Sequence, residues 1–166
     1  MKFPALLALL ALLGGLAHAA DPSTITGAVA YTEIVRFDYT KEGKKANVQF
    51  WLEFNGKAAI GKEGEPGYRT AEGAIHYYLL DVDKQTKVTN WLMGFSMMSE
   101  PPPSGPYPMD NLVIEGNTAR FEAFQQKWTI TDGGKGFGKD RVMVDDGFKP
   151  KEMKMYGGDI TIAPPK

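Results

Sequence analysis

Cysteine is absent from the 166 residues, so no disulfide can staple the fold and no thiolate can act as nucleophile or metal ligand. Histidine is almost absent: the chain holds His18, within its first twenty residues, and His76. Once a leader is removed, a metal site built from several histidines and a histidine-pair mechanism are both excluded within one subunit. Neither charge sign is in excess, with 19 basic and 20 acidic residues. That balance gives none of the basic footprint that a nucleic acid or an anionic membrane selects.

A long apolar run occurs at the N-terminus. Lys2 is followed by Ala5 to Leu13 and Leu16, and then by Ala17-His18-Ala19, small residues at the two positions that signal peptidase reads. The run is shorter than the roughly 20 residues that span a bilayer. The expectation is a signal peptide over residues 1–19, export to the periplasm or the medium, and a mature chain without stable membrane insertion. Residues 20–166 then form one domain, long enough to bury its own core.

In the mature chain apolar residues recur with period two. Val29, Tyr31, Val35, Phe37 and Tyr39 alternate with polar residues, and after a turn at 41–45 the pattern resumes through Ala46, Val48, Phe50, Leu52 and Phe54. These predict a hairpin. Asn55-Gly56 ends the second strand, and a breaker-rich stretch to Glu72 reads as a long loop, with at most a short strand at 58–60. A second hairpin is predicted from Gly73–Asp83 and Lys87–Met98, followed by an extended proline-rich connector over 99–109.

Further strands are predicted at Asn111–Glu115, Asp140–Asp145 and Glu152–Tyr156, with Gly157-Gly158 as an interruption before Ile160 and Ile162. The segment Thr118–Thr131 fits a bulged strand or a short helix, because Phe121, Phe124 and Trp128 fall at helical spacing. The fold class expected is all-β: a lipocalin-like antiparallel barrel, a meander of about eight strands, with a two-layer sandwich as the alternative. An outer-membrane barrel fits poorly, since no complete lipid-facing band appears and the chain ends in Ala163-Pro164-Pro165-Lys166.

Several motifs fail on their chemistry. Gly133 to Lys139 has the spacing of a phosphate-binding loop, but Asp140 stands where a magnesium-binding hydroxyl belongs and a strand-like segment follows instead of a helix. Asp132, Asp140, Asp145 and Asp146 surround that loop without a calcium-loop pattern, and turn chemistry accounts for them. No catalytic set with supporting spacing is visible, so an enzyme is not the expectation.

Three readings of function remain. Tryptophans and tyrosines on a β-scaffold suit a small apolar or aromatic ligand, with Trp51, His76, Tyr78 and Trp91 as the candidate contacts and no cofactor required. Trp51 lies on the polar side of its strand and is the best candidate for a surface contact. Alternatively, Met97, Met98, Met153 and Met155, with His76, offer soft thioethers and one imidazole for copper in its Cu(I) state. Third, the proline segment 101–108 would dock on a protein partner, making the chain a structural or adaptor protein.

Overall fold

The computed structural model describes residues 22–38, 45–59, 70–88, 105–132, 141–145 and 149–164, and among them there is no helix. The turn at 41–45 (apart from Lys45), the loop tip at 60–69, the fourth strand beyond Val88, most of the proline segment and the glycine-rich loop at 133–140 lie outside the described residues.

The period-two segments form two antiparallel sheets. The first contains β1 (Ser23–Ala30), β2 (Val35–Asp38), β3 (Lys45–Ala59), β4 (Thr70–Asp81), β5 (Thr86–Val88), β6 (Tyr107–Pro108) and β12 (Gly157–Ala163). The second is a meander of β7 (Asp110–Glu115), β8 (Thr118–Ala123), β9 (Gln126–Thr131), β10 (Arg141–Asp145) and β11 (Pro150–Met153). Both expected hairpins are present, β2 against β3 and β4 against β5.

The first predicted strand is divided at residues 31–34. Ala30 pairs with Trp51 and Val35 with Val48, so four residues oppose two. Thr32 explains the detour: its Oγ1 accepts the Phe50 N–H at 3.0 Å, and its carbonyl accepts the Gln49 side-chain amide at 3.3 Å. A hydroxyl thereby replaces a ladder carbonyl. Because the excess is two residues, the alternation stays in phase and Val29 and Val35 keep the same face.

Asn55-Gly56 is not a turn. Strand β3 continues to Ala59 and pairs with β4 from Thr70 onward, with Gly56 directly opposite Gly73. The missing side chains form a notch. A Cβ on Gly56 would lie 2.9 Å from Leu112 Cδ2, and one on Gly73 would lie 2.8 Å from Met109 Sδ. The segment from Tyr107 to Glu115 crosses here from one sheet to the other. Tyr107 and Pro108 pair with Ile75 and Ala74 along β4, the Met109 N–H donates to Gly73 O at 2.9 Å, and Asp110 pairs with Glu122 in the second sheet. The proline connector therefore ends as a strand beside β4, where Pro108 lacks an N–H to donate.

The chain returns in the same way after β11. The Tyr156 N–H donates to Ala30 O at 2.7 Å, and β12 then pairs with β1. Gly157 and Gly158 belong to this strand and do not interrupt it. Gly158 has φ +95° and lies so close to β1 that a Cβ would fall 2.0 Å from the Ala28 carbonyl oxygen, which only glycine avoids.

Residues 118–131 form neither a bulged strand nor a helix but two strands joined by Phe124-Gln125, both at positive φ (54° and 61°). That is a two-residue hairpin turn of the I′ kind, formed without the Asn or Gly that announces one in sequence. The aromatic spacing has a β-sheet origin. Phe121 and Trp128 are cross-strand partners with rings stacked at 5.9 Å, and the buried Trp128 indole N–H donates to Ala123 O at 3.0 Å.

One core joins the sheets: Ile25, Phe54 and Ile75 from the first against Ile114, Phe121 and Ile130 from the second. Gly56→Val or Gly73→Val should overpack the notch and cost about 1–3 kcal/mol. Thermal denaturation checks this, and Leu112→Ala in the Gly56→Val background should recover part of the loss, the coupling expected of residues in contact. Gln125→Gly should do the opposite, raising the melting temperature by a few degrees through relief of a left-handed conformation that costs about 1 kcal/mol.

Candidate functional site

Directly opposed residues of an antiparallel pair share a face. On β3 and β4 the inner face is Leu52, Phe54, Ile75 and Leu79, all buried. The outer face carries the pairs Trp51–Tyr78, Glu53–His76, Asn55–Ala74 and Lys57–Glu72. Trp51 and Tyr78 lie stacked, 6.3 Å between centroids and 13° between planes. The Trp51 indole nitrogen is buried and has no hydrogen-bond partner among the described residues.

Lys87, opposite Leu80 on β5, reaches across this face. Its ammonium stands 4.2 Å from the Tyr78 ring centroid and donates to Glu53 Oε2 at 2.7 Å. Burial raises the Tyr78 phenol pKa above its usual 10.0, and the Glu53 charge raises it further. Beside the rings runs an open groove of about 690 Å³. Its floor is the backbone of Gly56 and Gly73 and the short side chain of Ala74, and its walls are Glu53, Asn55, Lys57, Glu72, His76 and Lys87. A second ion pair, Lys57–Glu72 at 2.7 Å, closes the far end. Each end of the groove thus offers one cation and one anion.

The fold brings together three of the four residues expected to contact a ligand, Trp51, His76 and Tyr78, on the outer face of the first sheet; Trp91 lies outside the described residues. Of the thioether set, two methionines and the histidine lie among the described residues. Met153 ends β11, Met155 follows it outside any strand, and both pack partly buried against the core, whereas His76 occupies the opposite face of the first sheet. Met97 and Met98 lie outside the described residues. Among the described residues no group of three His, Asp or Glu side chains is placed to hold a metal, and no helix is long and apolar enough to cross a membrane. Asp132 is used structurally, its carboxylate accepting the Ile162 N–H at 3.1 Å.

Sequence reasoning passed over Glu53 and Lys87, although the period that exposes Trp51 puts Glu53 on the same face. It also did not single out a second aromatic group, at the inner side of the first sheet. Tyr77 and Tyr107 stack at 5.7 Å with their side chains hydrogen-bonded, Phe124 lies 4.9 Å from Tyr107, and Tyr31 packs against the same core. Tyr107, from the proline segment, is thereby engaged within its own domain.

Comparison with known proteins finds no match, whether to a family model, a curated protein or a solved structure. The function must be read from the site.

Burial raises the phenol pKa of Tyr31 and raises that of Tyr77 strongly, the latter reinforced by its bond to Tyr107. Such phenols favour the folded state as long as they stay protonated. Stability should therefore be level below the unfolded phenol value near 10 and fall as pH rises above it. Denaturant titrations between pH 8 and 11 check this, and Tyr77→Phe should flatten the decline.

Proposed function

We propose that the chain is an exported binding protein for a small aromatic ligand, held on the outer face of β3 and β4. The observation that carries this reading is the half-buried Trp51–Tyr78 stack beside a groove of about 690 Å³, within the size range of small-molecule sites. Of the apolar and aromatic ligands that the sequence suggests, the aromatic class suits the surroundings better. A purely apolar molecule would offer no hydrogen bonds to Asn55, His76 and the Glu53–Lys87 pair, whereas a planar ring can lie on the groove floor beside the Trp51–Tyr78 stack while its polar substituents meet them. Export rests on the leader at residues 1–19.

We also propose that the two sheets close as a meander barrel. The support is the order of the chain: it leaves the first sheet at β6, runs through β7 to β11 in sequence, and re-enters beside β1 at β12. Closure of this kind leaves few free edges in a chain without disulfides.

Titration of the mature protein with indole and p-cresol, followed by tryptophan fluorescence and by calorimetry, tests the binding reading. Saturable binding is expected, and Trp51→Ala or Tyr78→Ala should each weaken it by about two- to tenfold, the range of one lost aromatic contact. No heat and no spectral change with either compound would remove the proposal.

A further inference from the structure

The proposal of an aromatic ligand leaves open what its polar end must be, and the charges beside the rings narrow the choice. Lys87 and Glu53 form a single ion pair with N–O 2.7 Å, and both side chains are about half exposed (54% and 43%). Exposed pairs of this kind are weak and open at little cost. Both members border the groove, and the Lys87 ammonium lies 4.2 Å from the Tyr78 ring centroid, so that ring shields the cation from water on one side.

A ligand with one charge can pair with only one of them. A carboxylate drawn to Lys87 approaches Glu53, and an ammonium drawn to Glu53 approaches Lys87; in either case one repulsion accompanies one attraction. A ligand with an ammonium and a carboxylate on the same carbon presents the complementary pair at nearly the same spacing. Carboxylate on Lys87 and ammonium on Glu53 then close a four-membered ring of alternating charges. His76, opposite Glu53, and Asn55, two residues further along β3, add hydrogen-bonding groups beside the ammonium position.

We infer that the groove selects an aromatic α-amino acid, its ring on the Gly73–Ala74 floor beside the Trp51–Tyr78 stack and its ammonium and carboxylate paired with Glu53 and Lys87. This inference rests on the preceding reading, that a small aromatic molecule binds this face. It goes further in requiring both charges, on one carbon, beside the ring.

The test uses the full mature protein and calorimetry with four ligands of the same ring: L-phenylalanine, 3-phenylpropionate, phenethylamine and N-acetylphenylalanine amide. L-phenylalanine should bind about tenfold more tightly than any of the other three. Glu53→Gln should reduce L-phenylalanine to the affinity of phenylpropionate, and Lys87→Met to that of phenethylamine. Arg120→Met, which breaks a similar exposed ion pair with Glu115 on the second sheet, should change nothing. Equal binding of all four compounds would overturn the inference and leave the aromatic reading standing. Binding of indole with no binding of L-phenylalanine would do the same, and no binding of any aromatic compound would remove both.

Discussion

The Gly56–Gly73 pair is the constraint on which the rest of the structure depends. Two strands meet with no side chain on either at the same point of the ladder, and Leu112 and Met109 enter the space from the crossing segment. Without that notch the strand from Tyr107 to Glu115 could not pass so close to the first sheet while pairing with β4 at one end and with β8 at the other. The same two glycines, seen from the opposite side of the sheet, floor the groove between Glu53 and Lys57. The absence of side chains sets the packing on the core face, while the outer groove owes its depth to the short Ala74 side chain among longer neighbours.

This arrangement divides the labour between faces. Inward, β3 and β4 give Leu52, Phe54, Ile75 and Leu79 to a core shared with Phe121, Trp128 and Ile130. Outward, the alternate positions are free of packing duties and carry rings and charges. Core burial stabilises the fold in place of disulfides, at about 25 cal/mol for each Å² of apolar surface removed from water. A rigid two-strand scaffold for the outer face is what such a core provides, and side chains on paired strands are held in fixed register in a way that loop residues are not.

Much of this was legible in the sequence. Period-two alternation led to the all-β class, to both early hairpins and to the shared face of Trp51 and Glu53, because the pleat alone determines which side chains neighbour one another. What was not legible came from residues with two physical meanings. Asn55-Gly56 is a turn signal, yet glycine also serves where another segment approaches closely, and only the crossing strand decides between them. Phe124-Gln125 carries no turn signal at all, since its left-handed conformation is held by rings packed on Tyr107 and Trp128. Lys87 stands at the start of a strand far in sequence from Glu53, and no local pattern links them. Thr32 reads as an outward residue of an unbroken strand, and its competition for the Phe50 amide appears only once β3 lies beside it.

The bond from Ile162 to Asp132 has a consequence for the chain in company. An amide on the side of β12 away from β1 is a template on which another molecule could extend the sheet, the first step toward fibres. With a carboxylate already accepting that amide, an incoming strand must displace a bound anion and bring its own carbonyl up to a negative charge. For a chain without cysteine, which folds with no covalent cross-link, a guarded margin of this kind favours remaining single over polymerising.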